Sequence, residues 1–303
     1  MIFNLFILHF FAPLFVLFQL GMQQFSSRME WLASLILATG VIVVLAMIGN
    51  WGWFSIYLVP VYCVLLVIAV WRSARRYPSI EQHSPDKAGA WLGFTISMLL
   101  GAFAWGGAVM AWGGHSFPER VVDLTFPFHE GTYLVGQGGS SSIVNYHYSH
   151  KSQKFALDIS RLYPWGGRAR GIYPDMLTTY AIYQTPIYSP CAGSVAAVIN
   201  NLPDQLPGRF DRDNPAGNYV AVECGGIVVY LAHFSTGSIV VNVGDFVNTE
   251  SLLGLSGNSG NTSEPHLHIH AEEGNYTGVF SGSRGVAITF GQRFLVRNSI
   301  VFR

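Results

Sequence analysis

The first third of the chain contains long apolar runs without any charge, and these runs limit what it can fold into. Residues 1–27 and 31–71 contain no Asp, Glu, Lys or Arg. A helix needs about 20 apolar residues to cross a bilayer, and stretches of this length do not suit the surface of a soluble domain. The whole chain is only 11% charged, against about 25% in soluble domains. We therefore predict an α-helical membrane bundle over residues 1–112.

The apolar region divides into four predicted spans. The segment from Gly49 to Gly52 interrupts the longer run, because glycine and asparagine are poor residues for a helix interior. Tryptophans lie at the ends of several segments, where amphipathic rings prefer the membrane interface. The predicted spans are Ile2–Leu20, Trp31–Ile48, Trp53–Trp71 and Trp91–Trp112.

Lysine and arginine predict how this bundle is oriented. They lie after the first span and around the loop after the third, at Arg28, Arg72, Arg75, Arg76 and Lys87. The positive-inside rule places these loops in the cytoplasm, so both ends of the bundle and all that follows lie outside. Apart from His9, no acidic or basic residue lies within a span. This favours an anchor over a transporter or channel, although a separate role of the membrane part stays open.

After residue 112 the sequence changes to short β-type runs separated by Gly, Pro and Asn. We predict a linker at 113–131 and a mostly antiparallel β domain at 132–303. Because the chain has equal numbers of acidic and basic residues, an electrostatic nucleic-acid binder is excluded. Cys191 and Cys224 lie in this outer part, and the sequence leaves open whether they are joined. The predicted strands include Thr132–Gly136, Ile187–Ile199, Asn218–Cys224, Ile227–His233, Ser238–Val241 and Val286–Phe290.

Histidines mark the candidate site of the outer domain. In a strand, the alternating residues His266, His268 and His270 point to one face. Three imidazoles on one face suit a metal or a catalytic site better than a core or a solvated surface. Zinc accepts histidine nitrogens and carboxylate oxygens, with three protein ligands and one open position in catalytic sites. Asp158, within an apolar strand candidate, offers a carboxylate that would be costly to bury without a partner.

An ordered series of motifs in this region resembles the lysostaphin-type zinc metallopeptidases, which cut peptide cross-links in bacterial peptidoglycan. The motifs are Asn218-Tyr219-Val220, Tyr230-Leu231-Ala232-His233, Val243-Gly244-Asp245-Phe246-Val247, Gly257-Asn258-Ser259-Gly260-Asn261-Thr262 and Pro265-His266-Leu267-His268. The resemblance implies the lysostaphin-type β fold and a bound zinc ion. It implies that Asp158 and His268 are zinc ligands. It also implies that His233 and His266 are the catalytic residues beside the attacking water and the scissile carbonyl.

The sequence departs from the family at the first zinc ligand. The family pattern has a histidine four residues before the aspartate, whereas Lys154 stands there in this chain. A protonated lysine cannot coordinate zinc. We predict that His147, just upstream, supplies the missing ligand; His150 and a two-ligand degenerate site are the alternatives.

We therefore predict a membrane-anchored zinc metalloendopeptidase that hydrolyses peptide bonds of peptidoglycan with a zinc-activated water. The alternative is a degenerate module of the same family that binds the wall or regulates other wall hydrolases. The predicted location is the bacterial cytoplasmic membrane, with the peptidase domain facing the periplasm or the outside. The expected partners are peptidoglycan peptides and the lipid bilayer, with a protein regulator left open and nucleic acid excluded.

Overall fold

The computed structural model describes residues 2–25, 27–76, 87–278 and 283–303. These residues form two compact units. The first unit comprises Met1–Trp51 and Ile56–Trp112, and the second comprises Gly52–Ser55 and Gly113–Arg303. Two acidic residues of the loop after the third predicted span, Glu81 and Asp86, lie outside the described residues.

Four long apolar helices make up most of the first unit, each long enough to cross a membrane. They are α1 (Ile2–Met22, with a π-helical turn at Ile7–Phe11), α2 (Arg28–Ile48), α3 (Leu58–Arg76) and α4 (Lys87–Gly113). The side chain of Ser27 caps α2 by accepting a hydrogen bond from the Glu30 amide at 3.2 Å. The predicted four-helix N-terminal region is confirmed.

The bounds of the third helix differ from the sequence prediction. It begins at Leu58 rather than Trp53, because Trp51–Trp53 forms a short 3₁₀ turn after the Gly49-Asn50 interruption. It ends at Arg76 rather than at the predicted Trp71, because arginine is a good helix former and the helix continues through the arginines that follow the apolar run.

His9 has a structural partner within the first unit. Its Nε2 atom lies 2.9 Å from the backbone amide of Asn50 and accepts that hydrogen bond. Its Nδ1 atom lies 2.9 Å from the Leu5 carbonyl and donates to it. The ring therefore ties the chain after α2 to α1, which accounts for a buried imidazole in an apolar helix.

The second unit contains a mostly antiparallel β-sheet, and the predicted fold class is confirmed. Its main path runs in the order β13-β2-β3-β10-β7-β6-β5-β8, while β11 pairs with β10, β12 and, in parallel, β1. The strands are β1 (Val121–Leu124), β2 (Thr132–Gln137), β3 (Leu157–Leu162), β4 (Pro186–Tyr188), β5 (Gly193–Ile199), β6 (Asn218–Cys224), β7 (Ile227–Phe234), β8 (Phe246–Val247), β9 (Leu252–Leu255), β10 (Leu267–Glu273), β11 (Gly285–Phe290), β12 (Arg293–Phe294) and β13 (Ile300–Phe302). Strand β1 lies in the segment 113–131, which the sequence predicts as a linker.

Two strand predictions were wrong. The predicted strand Ile187–Ile199 is two strands, β4 and β5, because Pro190 has no amide proton for a sheet ladder. Residues Ser238–Val241 form no strand, since the Ile239 amide donates to the side-chain oxygen of Asn200 at 3.0 Å. Strands β6 and β7 form a hairpin whose turn residues, Gly225 and Gly226, both have positive φ, as a two-residue hairpin turn requires.

The core lies on one face of the sheet and the candidate site on the other. Leu157 and Ile159 of β3, and Leu267 and Ile269 of β10, have at most 1% of their surface exposed and belong to one apolar cluster. Because side chains alternate along a strand, the residues between them point to the opposite face. Burial of the apolar set therefore fixes which way the polar set points.

Candidate metal centre

Three side chains from separate elements converge on the polar face of the sheet. His147, Asp158 and His268 each offer one ligand atom, and these atoms lie within 4.8 Å of one another. The Nε2 atom of His147 lies 3.1 Å from both carboxylate oxygens of Asp158. The Nδ1 atom of His268 lies 2.9 Å from Oδ1 of the same carboxylate. Both imidazoles therefore contact the same carboxylate, that of Asp158.

Strand register brings Asp158 and His268 together. Strand β10 lies between β3 and β7, and His268 is paired directly with Asp158 on β3. Directly opposed residues on neighbouring antiparallel strands have Cβ atoms about 5 Å apart. Side chains of this length at such a pair reach each other without backbone distortion.

His147 reaches the cluster from a 3₁₀ turn, Tyr146–Ser149, rather than from a strand. The fully buried Asn145 begins this turn and accepts the His147 amide hydrogen bond at 3.1 Å. Its amide nitrogen donates to the carbonyls of Gly139 and Ala156, both at 3.1 Å. Since Ala156 immediately precedes β3, Asn145 links the turn to the strand that carries Asp158.

The other two residues considered for the first ligand position do not enter the cluster. His150 follows the same turn and is exposed, and its amide donates to the His147 carbonyl at 2.8 Å. The Nζ atom of Lys154 lies 4.5 Å from the ring centroid of Tyr148, a cation–π arrangement. Of the three candidates, His147 is the residue next to Asp158.

The donor set fits a zinc ion. Zinc binds histidine nitrogen and carboxylate oxygen at about 2.0–2.2 Å and prefers a tetrahedral arrangement. Ligand atoms on a tetrahedron of that size are about 3.3 Å apart, close to the 3.1 Å and 2.9 Å found between the imidazoles and Asp158. Three protein ligands leave a fourth position for water or substrate.

His266 and His233 lie beside this cluster. The Nε2 atom of His266 lies 3.6 Å from Oδ1 of Asp158. The rings of His233 and His266 have centroids 4.8 Å apart. The Nδ1 atom of His266 lies 2.8 Å from the Glu264 carbonyl, and that of His233 lies 2.8 Å from the Ser259 carbonyl. Because a carbonyl only accepts, Nδ1 carries the proton in both rings and Nε2 is the acceptor.

His233 adopts a backbone conformation that is rare for a residue with a side chain. Its φ is +67°, in the left-handed region. The Gly257 amide donates to the His233 carbonyl at 2.9 Å, which holds the backbone from outside β7. Non-glycine residues in this region are concentrated at functional sites, where surrounding contacts hold the strained conformation.

The electrostatics of the site favour an anionic Asp158 and neutral rings at His233 and His268. Burial raises the pKa of Asp158, but the nearby imidazoles of His147 and His266 outweigh it and hold that pKa well below its usual range. Burial lowers the pKa of His233 to about 3 and the pKa of His268 well below its usual value. These are the protonation states that bind a divalent cation, because a protonated imidazole has no lone pair to offer.

Two polar residues lie behind His268: His270, which the sequence places on the site face without a specific role, and Glu272, which it does not single out. The Nε2 atom of His268 lies 3.0 Å from Nδ1 of His270, and Nε2 of His270 lies 3.3 Å from Oε1 of Glu272. Both residues are about 1% exposed. The alternation of β10 places His270 on the site face at the sequence level, and the same period would have added Glu272.

A second residue that the sequence does not single out is Glu264, which lies two residues before His266. Its carboxylate forms an ion pair with the guanidinium of Arg168, and the side chains are 13% and 4% exposed. No local sequence signal links Arg168 to Glu264, since they are 96 residues apart. The second unit also contains a disulfide between Cys191 and Cys224, with Cα atoms 6.2 Å apart.

Comparison with known proteins finds a match to one family within this domain. Residues 177–279 match the model of peptidase family M23. This range contains His233, His266 and His268, whereas His147 and Asp158 precede it. No curated protein matches the chain at a significant level.

Several solved structures are similar to part of the chain. A zinc-containing peptidase from Vibrio cholerae is 18% identical, with 50% of this chain and 36% of that chain covered and a TM-score of 0.31. A variant catalytic domain of the prophage-encoded M23 protein EnpA from Enterococcus faecalis is 17% identical, with 58% and 95% covered and a TM-score of 0.30. The catalytic domain of the antimicrobial peptidase lysostaphin from Staphylococcus simulans is 19% identical, with 39% and 86% covered and a TM-score of 0.26. The chain thus spans about a third of the length of the Vibrio cholerae protein.

Proposed function

We propose that this protein is a membrane-anchored zinc metalloendopeptidase that hydrolyses peptide bonds of peptidoglycan. The match of residues 177–279 to the model of peptidase family M23 supports this proposal. The observation that carries the proposal is the convergence of His147, Asp158 and His268 on one point, with His233 and His266 beside it. A three-ligand set with an open fourth position is typical of catalytic rather than structural zinc sites.

The proposed ligands are His147 through Nε2, Asp158 through a carboxylate oxygen and His268 through Nδ1, since these are the atoms that face one another. When bound, zinc lowers the pKa of a coordinated water to about 7 and polarises a carbonyl.

The two remaining histidines have their acceptor nitrogens available for the reaction. With Nδ1–H donated to the Glu264 carbonyl, His266 can accept a proton from the attacking water at Nε2 and later deliver it to the leaving amine. His233 stays neutral because its pKa lies at about 3, so its Nε2 atom orients the water by accepting a hydrogen bond. Proton transfer of this kind contributes roughly 10²–10⁴-fold to the rate of an enzyme.

The four apolar helices are proposed to anchor the protein in the bacterial cytoplasmic membrane. Arg75 and Arg76 lie in the last turn of α3, so the positive-inside rule assigns that end to the cytoplasm. The peptidase domain then lies on the outer side, where its proposed substrate, the peptide part of the cell wall, is found. The lipid bilayer is accordingly a proposed partner.

The first test is the zinc content and muropeptide hydrolysis of the full-length chain in detergent. We expect about one zinc per chain, and we expect His268→Ala to abolish zinc binding and activity together. His147→Ala should also lose zinc, whereas the matched control His150→Ala should keep it. His266→Ala should keep zinc but lose most turnover. An active, zinc-free His268→Ala variant would contradict the assignment.

The second candidate is a module without activity that binds the wall or regulates other wall hydrolases. The observation in its favour is Lys154 at the position where the family has its first histidine ligand. It predicts that the wild-type chain takes up no zinc even after reconstitution and hydrolyses no muropeptide. The same zinc measurement therefore separates the two candidates.

A further inference from the structure

A four-residue segment far from the sheet in sequence belongs to the second unit. Gly52–Ser55 lies between α2 and α3 in the chain but groups with residues 113–303. The Arg168 amide donates to the Gly52 carbonyl at 2.8 Å, and the Ser55 hydroxyl donates to the Trp165 carbonyl at 2.8 Å. A Cβ atom on the buried Gly52 would come within 2.8 Å of Cδ2 of Leu134 on β2. The segment is therefore closely packed on this unit.

Trp53, within this segment, packs against two side chains of the second unit. Its ring is stacked on Tyr173, with centroids 5.2 Å apart and planes inclined by 5°. The guanidinium carbon of Arg168 lies 4.0 Å from the centre of the Trp53 ring. Tryptophan is the best partner for such a cation–π contact, and Arg168 is only 4% exposed, so the attraction is weakly screened.

Arg168 connects Trp53 to Glu264. Its Nε atom donates to Oε1 of Glu264 at 2.6 Å, and its Nη2 atom donates to Oε2. The same guanidinium also donates to the Ile172 carbonyl at 3.1–3.2 Å. A bidentate pair of this kind fixes the direction as well as the distance between its partners. Glu264 is therefore held by its side chain in one position.

The backbone of Glu264 in turn holds His266. Its carbonyl accepts the Nδ1–H hydrogen bond of His266 at 2.8 Å, which sets the tautomer and aims Nε2 toward the cluster. It also accepts the Thr262 hydroxyl at 2.8 Å. A change in the position of Glu264 would therefore move the imidazole on which the proposed proton transfer depends.

We propose that Gly52–Ser55 is a positioning segment of the peptidase site, in which Trp53 holds His266 through Arg168 and Glu264. The inference rests on the proposed function, because the consequence for turnover requires that His266 takes part in the reaction. Trp53, Arg168 and Glu264 are positioning residues, because the route from Trp53 to His266 runs through their contacts with one another and through the Glu264 carbonyl, and not through the zinc ligands.

The test compares Trp53→Ala with Trp53→Phe in the full-length chain in detergent. We expect Trp53→Ala to lower kcat between about 10-fold and 100-fold, as small displacements of a reacting group do, with zinc content and KM unchanged. Trp53→Phe keeps an aromatic face for Arg168 and Tyr173 and should restore most of the loss. Trp112→Ala is the matched control, because this tryptophan is 71% exposed and outside the segment.

A double-mutant cycle separates a specific route through His266 from general destabilisation. If Trp53 acts through His266, adding Trp53→Ala to His266→Ala should cause no further loss of activity. Fully additive losses, loss of zinc in Trp53→Ala, or wild-type turnover in that variant would overturn the proposal.

A measurement that does not depend on enzyme activity can test the positioning role separately from the proposed peptidase function. The rate at which diethyl pyrocarbonate modifies His266, followed by mass spectrometry, should rise several-fold in Trp53→Ala and stay unchanged in Trp112→Ala. An inactive wild-type chain with this difference would refute the peptidase function but support the positioning role. An unchanged modification rate would refute the positioning role whatever the activity.

Discussion

Replacing His270 by phenylalanine is expected to weaken zinc binding without unfolding the domain. If Nδ1 of His268 binds zinc beside Asp158, the proton of His268 must lie on Nε2, from which it can be donated to Nδ1 of His270 at 3.0 Å. His270 then carries its own proton on Nε2 and donates it to Glu272. The chain of hydrogen bonds thus selects one tautomer of His268, the one that leaves Nδ1 free to bind a metal.

The expected loss of zinc affinity follows from His268, whose Nε2–H group would lose its hydrogen-bond acceptor. His268 is 3% exposed, so its Nε2–H would lose its acceptor in a buried place, at a cost of about 1–3 kcal/mol. Removal of an outer-shell partner of a metal ligand typically lowers affinity by about 10–100-fold. The two estimates agree, because a tenfold change in affinity corresponds to about 1.4 kcal/mol. Phenylalanine keeps the stacking contact of His270 with Tyr230, whose ring centroid lies 4.7 Å away.

The assay is zinc competition against a chromophoric chelator, with thermal unfolding measured on the same samples. Glu272→Gln keeps a hydrogen-bond acceptor but removes the charge, and it should weaken zinc less than His270→Phe does. Tyr230→Phe keeps the ring beside His270 and should leave the affinity unchanged. A folded His270→Phe variant that binds zinc within twofold of the wild type would show that His270 does not orient His268.

Three other predictions can be checked separately. Cys191→Ser should lower the free energy of unfolding by about 3–4 kcal/mol, because the disulfide spans 33 residues; an unchanged midpoint in chemical denaturation would contradict this. The pKa of His233 is about 3 in the folded chain and about 6.5 when unfolded. As pH falls, the unfolded chain therefore binds a proton at His233 before the folded chain does. The zinc-free protein should accordingly lose stability as pH falls from about 6.5 toward 3. His233→Gln should flatten that pH dependence by up to a few kcal/mol, as measured by unfolding across this range. Lys154→Ala should leave the zinc content unchanged, and a loss would mean that Lys154 supports the site.

Strands with a clear alternating pattern were predictable from the sequence, and strands formed by tertiary pairing were not. The prediction Asn218–Cys224 matches β6, since its apolar residues and the following glycine pair specify a hairpin locally. Strands β12 and β13 contain two and three residues. A segment this short carries no periodic signal, and it becomes a strand only because a neighbouring strand offers hydrogen bonds.

The same distinction applies to the candidate site. The alternation in β10 was sufficient to place His268 and His270 on one face. The pairing of His268 with Asp158 depends on β3 lying beside β10, a neighbour 110 residues away in sequence. The face of the sheet on which a side chain lies is encoded by the local sequence, whereas the identity of the neighbouring strand depends on the whole sheet.

His147, the proposed first ligand, reaches the cluster although its spacing from Asp158 differs from the family pattern. It lies 11 residues before Asp158 rather than four, so the register of a strand cannot place it. Asn145 positions His147 instead, because its side chain forms hydrogen bonds with both the His147 amide and the carbonyl of Ala156. Lys154 is then free of any coordinating role and packs against Tyr148 instead. One buried amide side chain thus keeps the His147, Asp158 and His268 donor atoms together despite the departure at Lys154.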